Sequence, residues 1–157
     1  EDTLHLIDEY TRIVRDIDSH IVVRQFTSES IDRDSMLSDF ANGNIDVLTS
    51  MKCLDEGVDV PRSELAIFCA STGNPRQFIQ RRGRVLRTHN DKRSAVIHDL
   101  VVIPGTNFDP ECYELEKSLV STEVKLVRDF ALLSENCNDT LNTLDDVLNR
   151  YQISLFN

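Results

Sequence analysis

The sequence contains no tryptophan, only two methionines, and just five glycines and four prolines in 157 residues. So little glycine and proline excludes collagen-like and low-complexity chains. The apolar runs are a few residues long, whereas a membrane-spanning helix needs about 20, so we expect no membrane contact. Apolar residues nevertheless make up 40% of the chain, which is enough for the core of one ordinary domain.

The sequence also lacks the usual signs of metal binding and secretion. Its four cysteines never approach the Cys-x-x-Cys spacing of a zinc site; they are Cys53, Cys69, Cys112 and Cys137. Without a signal peptide a reduced compartment is expected, which predicts an intracellular protein of the cytoplasm, nucleoid or nucleus. The chain begins at Glu1 rather than at methionine, which indicates a fragment of a longer protein.

Basic residues are scarce everywhere except in one segment. The net charge is −10, and a uniformly acidic domain would argue against nucleic-acid binding. Residues 76–93, however, hold a single acid, Asp91, and a set of basic side chains: Arg76, Arg81, Arg82, Arg84, Arg87, Lys92 and Arg93. Clustered cations repel one another, so this segment predicts either an anionic ligand or acidic partners elsewhere around a solvated helix.

Hydrophobic periodicity predicts an α/β fold. Apolar residues at helical spacing predict helices over 3–17, 30–41, 75–86 and 139–150, and a long helix after Asp109-Pro110. β-Branched apolar runs predict strands over 21–26, 45–49, 65–69 and 95–102. The alternation predicts a mainly parallel sheet sandwiched by helices, and the continuous apolar run at 65–69 predicts a strand covered on both faces. We place a domain boundary after residue 103, with a helical C-terminal extension over 104–157.

Candidate binding residues follow the predicted strands, because ligands of parallel sheets bind beyond the carboxyl ends of the strands. Thr27 follows the first strand, and Thr49 and Ser50 end the second. Hydroxyl side chains of this kind bind backbone phosphates without reading sequence. Gly57 and Asp59 stand in the next loop, where an aspartate suits a ribose hydroxyl. The same residues are also typical of strand ends and turn caps.

The predicted helix over 75–86 carries most of the positive charge in a regular arrangement. Gln80, Arg84 and Arg87 stand at i, i+4 and i+7, so they are predicted to share one face. Guanidinium groups suit bidentate contacts with phosphate, and Gly83, between Arg82 and Arg84, leaves room for the close approach of a phosphate or another backbone. The pattern favours phosphate binding over a solvated surface helix.

Two segments together resemble conserved motifs of superfamily 2 helicases and translocases of the DEAD/DEAH type. Glu56-Gly57-Val58-Asp59-Val60-Pro61 resembles motif V, and Gln80-Arg81-Arg82-Gly83-Arg84-Val85-Leu86-Arg87 resembles motif VI. The resemblance covers residues 3–103, which is most of the second RecA-like domain, although its first strand has no counterpart here. It is closest to the DNA-acting members and weaker for the RNA-acting DEAD-box group.

The resemblance implies roles on the nucleotide side. Arg84 and Arg87 match the arginine fingers that reach the phosphates of ATP bound to the first RecA-like domain. Gln80 matches the residue that senses the nucleotide across the cleft. Gly57 and Asp59 match motif V positions near the ribose and the catalytic water. The sequence has no GxxxxGK[ST] loop, so ATP and Mg²⁺ are expected to be held mainly by the first domain, and this chain alone is expected to be inactive.

The resemblance also implies partners. Thr49, Ser50 and Thr27 match positions that contact the backbone of the nucleic acid, and the first RecA-like domain of the same polypeptide is the expected protein partner. Two alternative functions stay open: the chain is an RNA helicase domain, or it is a non-catalytic RecA-like module that binds nucleic acid or a partner. A separate open question is whether the helical tail is a surface for a nuclease or another partner.

Overall fold

A computed structural model of the chain describes residues 2–51, 60, 62–69, 75–88, 92–105 and 111–156. These residues form, in order, α1 (Asp2–Ile17), β1 (Val23–Phe26), α2 (Arg33–Asn42), β2 (Val47–Ser50), β3 (Leu65–Phe68), α3 (Pro75–Val85), β4 (Val96–Asp99), α4 (Tyr113–Ala131), α5 (Cys137–Asn142) and α6 (Asp145–Tyr151). The predicted α/β class, with helices at the carboxyl end of the chain, is confirmed. None of the helices in these ranges is long and apolar enough to cross a membrane.

The chain divides into two compact units, Glu1–Ala66 with Gln80–Val96 and Ile67–Ile79 with Ile97–Asn157. In the first unit β1 and β2 pair in parallel, with Val23 opposite Val47 and Phe26 opposite Ser50. The helix α1 contacts both strands. Parallel pairing brings the carboxyl ends of β1 and β2 to the same edge, where the sequence predicts ligand contacts.

The core of the first unit forms where α2 covers the β1–β2 pair. Phe26 and Val60 are buried there, and the half-buried side chains that pack against them are Met36, Leu37, Phe40 and Leu48. The predicted end of α2 is confirmed at Gly43, which has a φ of 79°. A glycine adopts this left-handed conformation without strain, so it is the common residue just past the end of a helix.

The strands β3 and β4 form a second two-stranded sheet. The N–H of Val96 donates to the carbonyl of Glu64 at 2.7 Å, and the N–H of Leu100 donates to that of Phe68 at 3.0 Å. Because the donors and the acceptors advance together along the chain, the two strands run parallel.

The prediction that residues 65–69 form a strand covered on both faces is wrong. Leu65 is 54% exposed and Ile67 is 58% exposed, and their neighbours Ala66 and Phe68 on the other face are only half-buried. Within the described ranges β3 pairs with β4 alone, and this pairing covers one edge of β3 but neither of its faces. An apolar run reports what a strand is able to bury, whereas its burial depends on what packs against it.

The second unit contains a helical core of its own. Buried side chains of α4 and of the residues after it form this core; they are Val120, Val124, Leu144, Val147, Tyr151 and Leu155. The hydroxyl of Tyr151 donates to the Glu116 carboxylate at 2.9 Å, and the ring stacks on Tyr113 with centroids 5.9 Å apart. Burial, together with the Glu116 carboxylate, raises the pKa of Tyr151 above its ordinary value.

The single helix predicted over 139–150 is two helices, α5 and α6. Between them the N–H of Leu144 donates to the carbonyl of Leu141 at 3.0 Å, which is a tighter i to i+3 turn. This turn directs Leu144 into the core, where it is buried. No glycine or proline marks the break, so the local sequence carried no signal for it.

Candidate functional site

The three hydroxyl residues predicted to contact nucleic acid lie at one edge of the β1–β2 sheet. Thr49 and Ser50 are the last two residues of β2, and Thr27 directly follows β1. Phe26 and Ser50 are direct partners in the parallel register, so the two strands end side by side. All three residues are half-buried.

The hydroxyl of Thr49 takes part in a hydrogen-bond network inside the unit. Thr11, a buried residue of α1, donates its hydroxyl proton to the carbonyl of Ile7 at 2.6 Å. The hydroxyls of Thr11 and Thr49 are 2.7 Å apart, and because the Thr11 proton is already committed, Thr49 is the donor between them. The amide of Gln25 also donates to Thr11, at 3.2 Å, and to Asp8 at 2.7 Å. The network ties α1 to both strands.

Sequence reasoning missed Thr11. Its signal was present but weak, because Thr11 stands one helical turn after Ile7, a polar residue within the apolar face of α1. A threonine at such a position commonly donates to the carbonyl four residues earlier, which hides its role in tertiary structure. Its partner Thr49 is 38 residues away, at a distance in sequence where no spacing rule applies.

Ser50 differs from its neighbour in the use of its hydroxyl. The Oγ of Ser50 is buried and has no hydrogen-bond partner among the described residues. Thr27 is held in a turn in which its N–H donates to the Oγ of Ser30 at 2.9 Å, and Ser30 in turn donates to the carbonyl of Gln25 at 3.2 Å. Buried polar atoms are rarely left without partners, so Ser50 is the hydroxyl best placed to form a hydrogen bond with a new partner.

Two substitutions at this edge are expected to affect stability differently. Thr49→Val removes the donor to Thr11 and is expected to lower the free energy of unfolding by about 1 kcal/mol. Ser50→Ala removes a buried hydroxyl without a partner and is expected to leave stability unchanged or higher. Urea unfolding of the 157-residue chain, followed by circular dichroism, measures both changes. Equal losses in the two variants would contradict the assignment of the network.

The predicted common face of Gln80, Arg84 and Arg87 is only partly helical. Gln80 is exposed and Arg84 half-buried on α3, one turn apart, whereas Arg87 lies two residues beyond the end of the helix at Val85. The N–H of Arg87 makes a long hydrogen bond of 3.5 Å with the carbonyl of Arg84. Arg87 is exposed. The two candidate arginine fingers therefore stand on either side of the helix end.

Two further residues of the same segment behave oppositely. Arg82, a residue of the first unit, is 2% exposed, whereas Gly83 beside it is exposed. A Cβ added at Gly83 would meet no atom of the described residues within 4 Å. A glycine inside a helix costs about 1 kcal/mol relative to alanine. Since no described residue nearby requires the missing side chain, this open surface suits an incoming ligand or domain.

Lys92 contacts the end of α3. Its Nζ donates to the carbonyl of Val85, the last residue of the helix, and to the carbonyl of Arg87 at 3.1 Å. Burial lowers the pKa of the Lys92 ammonium below its ordinary value, and the carboxylate of Glu64 opposes that shift. Sequence reasoning counted Lys92 only as one charge of the basic segment, because a loop lysine carries no local signal of the carbonyls it will meet.

The remaining predicted site residues, Gly57 and Asp59, lie outside the described residues. The part of the chain that the structure describes contains no group of three or more His, Cys, Asp or Glu side chains able to hold a metal ion. The described candidates Thr27, Thr49 and Ser50 belong to the first unit, and so do Gln80, Arg84 and Arg87.

A parallel α/β unit with hydroxyls at the carboxyl edge of its strands, together with a helix that carries arginines, is consistent with a RecA-like fold. The helicase conserved C-terminal domain family matches residues 3–89, more than half of the chain. The chain belongs to this family. The resemblance to superfamily 2 helicases is thereby confirmed.

Relatives with assigned names are similar to the same part of the chain. The DNA 3'-5' translocase XPB2 of Sulfurisphaera tokodaii is 38% identical over 86 residues, which are 55% of this chain and 19% of the relative. The putative ATP-dependent helicase IRC3 of Saccharomyces cerevisiae is 32% identical over 74 residues, 47% of this chain and 11% of the relative. The putative DNA 3'-5' helicase Rad25 of Haloarcula marismortui is 33% identical over 66 residues, 41% of this chain and 11% of the relative. The chain thus spans at most about a fifth of the length of these curated relatives.

Proposed function

We propose that this chain is the C-terminal half of the motor of an ATP-dependent DNA helicase or translocase. The observation that carries the proposal is the pair Arg84 and Arg87 at the end of α3, within a chain of the helicase C-terminal family. The names of the similar proteins support DNA as the nucleic acid and ATP as the nucleotide, since two of the names specify DNA and one specifies ATP. In this proposal a longer polypeptide, the parent motor, joins this chain to a first RecA-like domain.

The residues near the end of α3 fit the triphosphate of a nucleotide. Arg84 and Arg87 offer two forked sets of N–H donors, which suit the acceptor oxygens of phosphate. Gly83, the residue directly before Arg84, is exposed and leaves an open surface on α3 among the described residues. When bound by the first domain with Mg²⁺, ATP supplies the phosphoryl group whose transfer to water drives the motor. The two guanidinium groups stabilise the negative charge that develops on the phosphate oxygens, and Gln80 completes the same surface.

Motif V is proposed to contact the nucleotide. Gly57 lets the backbone approach the ribose closely, and Asp59 accepts a hydrogen bond from a ribose hydroxyl or from the attacking water. These roles rest on the resemblance of Glu56-Gly57-Val58-Asp59-Val60-Pro61 to the motif.

The carboxyl edge of β1 and β2 is the proposed contact with the DNA backbone. Phosphate oxygens accept hydrogen bonds, so a contacting hydroxyl must have a proton to donate. Ser50 has one to offer, because its Oγ has no partner within the described residues, but this buried Oγ must become accessible first. Thr27 adds a second hydroxyl at the same edge. Before donating to a phosphate, Thr27 must give up its bond to Ser30 and Thr49 its bond to Thr11. Contact through a few hydroxyls is compatible with an acidic protein surface, because it needs no broad basic patch.

Hydrolysis of ATP by the parent motor, measured with single-stranded DNA, duplex DNA, RNA or no nucleic acid, tests the proposal. We expect stimulation by DNA and no turnover by the 157-residue chain alone, because the chain has no GxxxxGK[ST] loop. Stimulation by RNA alone would indicate a motor that acts on RNA rather than on DNA. No stimulation by any nucleic acid would favour a non-catalytic binding module. Turnover by the purified 157-residue chain would contradict the half-motor role.

A further inference from the structure

The segment that follows α3 holds one candidate arginine finger without the support of a helix. Arg84 is fixed by the hydrogen bonds of α3, whereas Arg87 stands beyond the last helical residue. Its N–H reaches the carbonyl of Arg84 only at 3.5 Å, which is a weak bond. A contact at the carbonyl of Arg87 would therefore help to fix the backbone from which its side chain extends.

Lys92 makes that contact. A helix leaves its last carbonyls without partners of its own, and a cation at this end is favoured by the helix dipole. The ammonium of Lys92 bonds the carbonyl of Val85 on the helix and the carbonyl of Arg87 beyond it. A lysine ammonium is compact and carries three donors on one atom, so a single group bridges two carbonyls that are two residues apart.

We infer that Lys92 is a positioning residue for motif VI: its ammonium fixes Arg87 relative to Arg84 by joining the end of α3 to the following segment. The inference rests on the proposed function, because the spacing of the two arginines matters only if both reach the same phosphate groups. The half-buried position of the Lys92 side chain supports the role, since its ammonium gives up part of its water for these two carbonyls. The adjacent Arg93 is exposed and provides a matched cation for comparison.

The first test measures order in the 157-residue chain without any nucleotide. Lys92→Met keeps the apolar stem and removes the donors, so the amide hydrogens of Leu86 and Arg87 are expected to exchange roughly fivefold to tenfold faster by NMR. The amides of β1 and β2 are expected to keep their exchange rates, because the core around Phe26 is untouched. The control Arg93→Met is expected to change neither set. Equal exchange rates at Leu86 and Arg87 in wild type and Lys92→Met would overturn the inference.

The second test is a double-mutant cycle in the parent motor. Lys92→Met is expected to lower kcat for ATP hydrolysis by about 10- to 100-fold, the size expected when a catalytic group is displaced by about 1 Å. In the Lys92→Met background the further loss from Arg87→Ala is expected to be much smaller than in wild type, because Lys92 acts through Arg87. If Lys92 only stabilised the fold, the fold-losses in kcat from Lys92→Met and Arg87→Ala would multiply in the double variant. This outcome overturns the inference.

The same cycle separates failure of the inference from failure of the proposed function. If Arg87→Ala and Arg84→Ala both leave ATP hydrolysis intact, the proposed function fails and the positioning role fails with it. If the arginine variants lose activity but Lys92→Met keeps it, the inference alone fails and the proposed function stands.

Discussion

Replacing Arg84 by alanine in the parent motor is expected to lower the rate of ATP hydrolysis by at least about 10³-fold. An arginine finger contributes on the order of 10³–10⁵-fold to phosphoryl transfer, because it stabilises charge that develops only in the transition state. Arg84 is half-buried on α3, so its guanidinium has less water around it than an exposed one, and its interaction with phosphate is correspondingly stronger. The measurement is steady-state hydrolysis with saturating DNA.

The matched control for this prediction is Arg93→Ala. Arg93 lies outside motif VI and is exposed, so its loss removes the same charge from the same basic segment. It is expected to change the rate less than threefold. Binding of DNA without nucleotide is expected to survive Arg84→Ala, because the proposed DNA contacts lie on β1 and β2. A loss below tenfold for Arg84→Ala, or an equal loss for Arg93→Ala, would remove Arg84 from the catalytic set.

The parts of the fold that could be predicted are those set by local sequence. The bounds of α1 and the end of α2 at Gly43 follow from periodicity and from a glycine stop signal, and both are confirmed. The strands β1, β3 and β4 lie within the predicted ranges, whereas β2 starts two residues later than predicted and ends one residue later, at Ser50; each strand is shorter than its predicted range. The run measures hydrophobicity, whereas a strand ends where its ladder partner ends.

Properties that depend on packing could not be predicted in the same way. The exposed face of β3 and the break between α5 and α6 are set by neighbours distant in sequence, and neither carries a local signal. The long helix α4 was predicted from the spacing of its apolar residues, but the partners of its buried side chains on α6 were not. Knowledge of which surface an element meets comes only from the tertiary structure.

In the candidate site, too, the features set by local sequence could be predicted and those set by tertiary contacts could not. Membership of the helicase C-terminal family could be predicted because motif VI combines residue types that phosphate chemistry requires at fixed spacing. The roles of Gln80, Arg84 and Arg87 stay predictions, as do those of Gly57 and Asp59. The contacts that distinguish Thr49 from Ser50, and Lys92 from Arg93, are long-range and became apparent only from hydrogen-bond geometry.

Replacing Phe26 by alanine is expected to unfold the first unit or bring it close to unfolding. Phe26 is 0% exposed in the core beneath α2, and the Arg33 guanidinium lies 4.7 Å from the centre of its ring. A buried Phe→Ala change costs about 3–5 kcal/mol, and the cation–π contact adds about 0.5–1 kcal/mol. Whole domains are stable by only about 5–15 kcal/mol, so the loss is a large fraction of the total.

Urea unfolding followed by circular dichroism measures this loss, with Ile31→Ala as the control. Ile31 is in the same unit but 84% exposed, so its truncation is expected to change the free energy of unfolding by less than about 0.5 kcal/mol. Phe26 pairs with Ser50 and directly precedes Thr27, so the same core residue also supports the proposed DNA-binding edge. DNA binding by Phe26→Ala is therefore expected to fall in proportion to the folded fraction. A fully folded Phe26→Ala chain would show that the carboxyl edge of β1 and β2 is held by the hydrogen bonds of Thr11 and Thr49 rather than by this core.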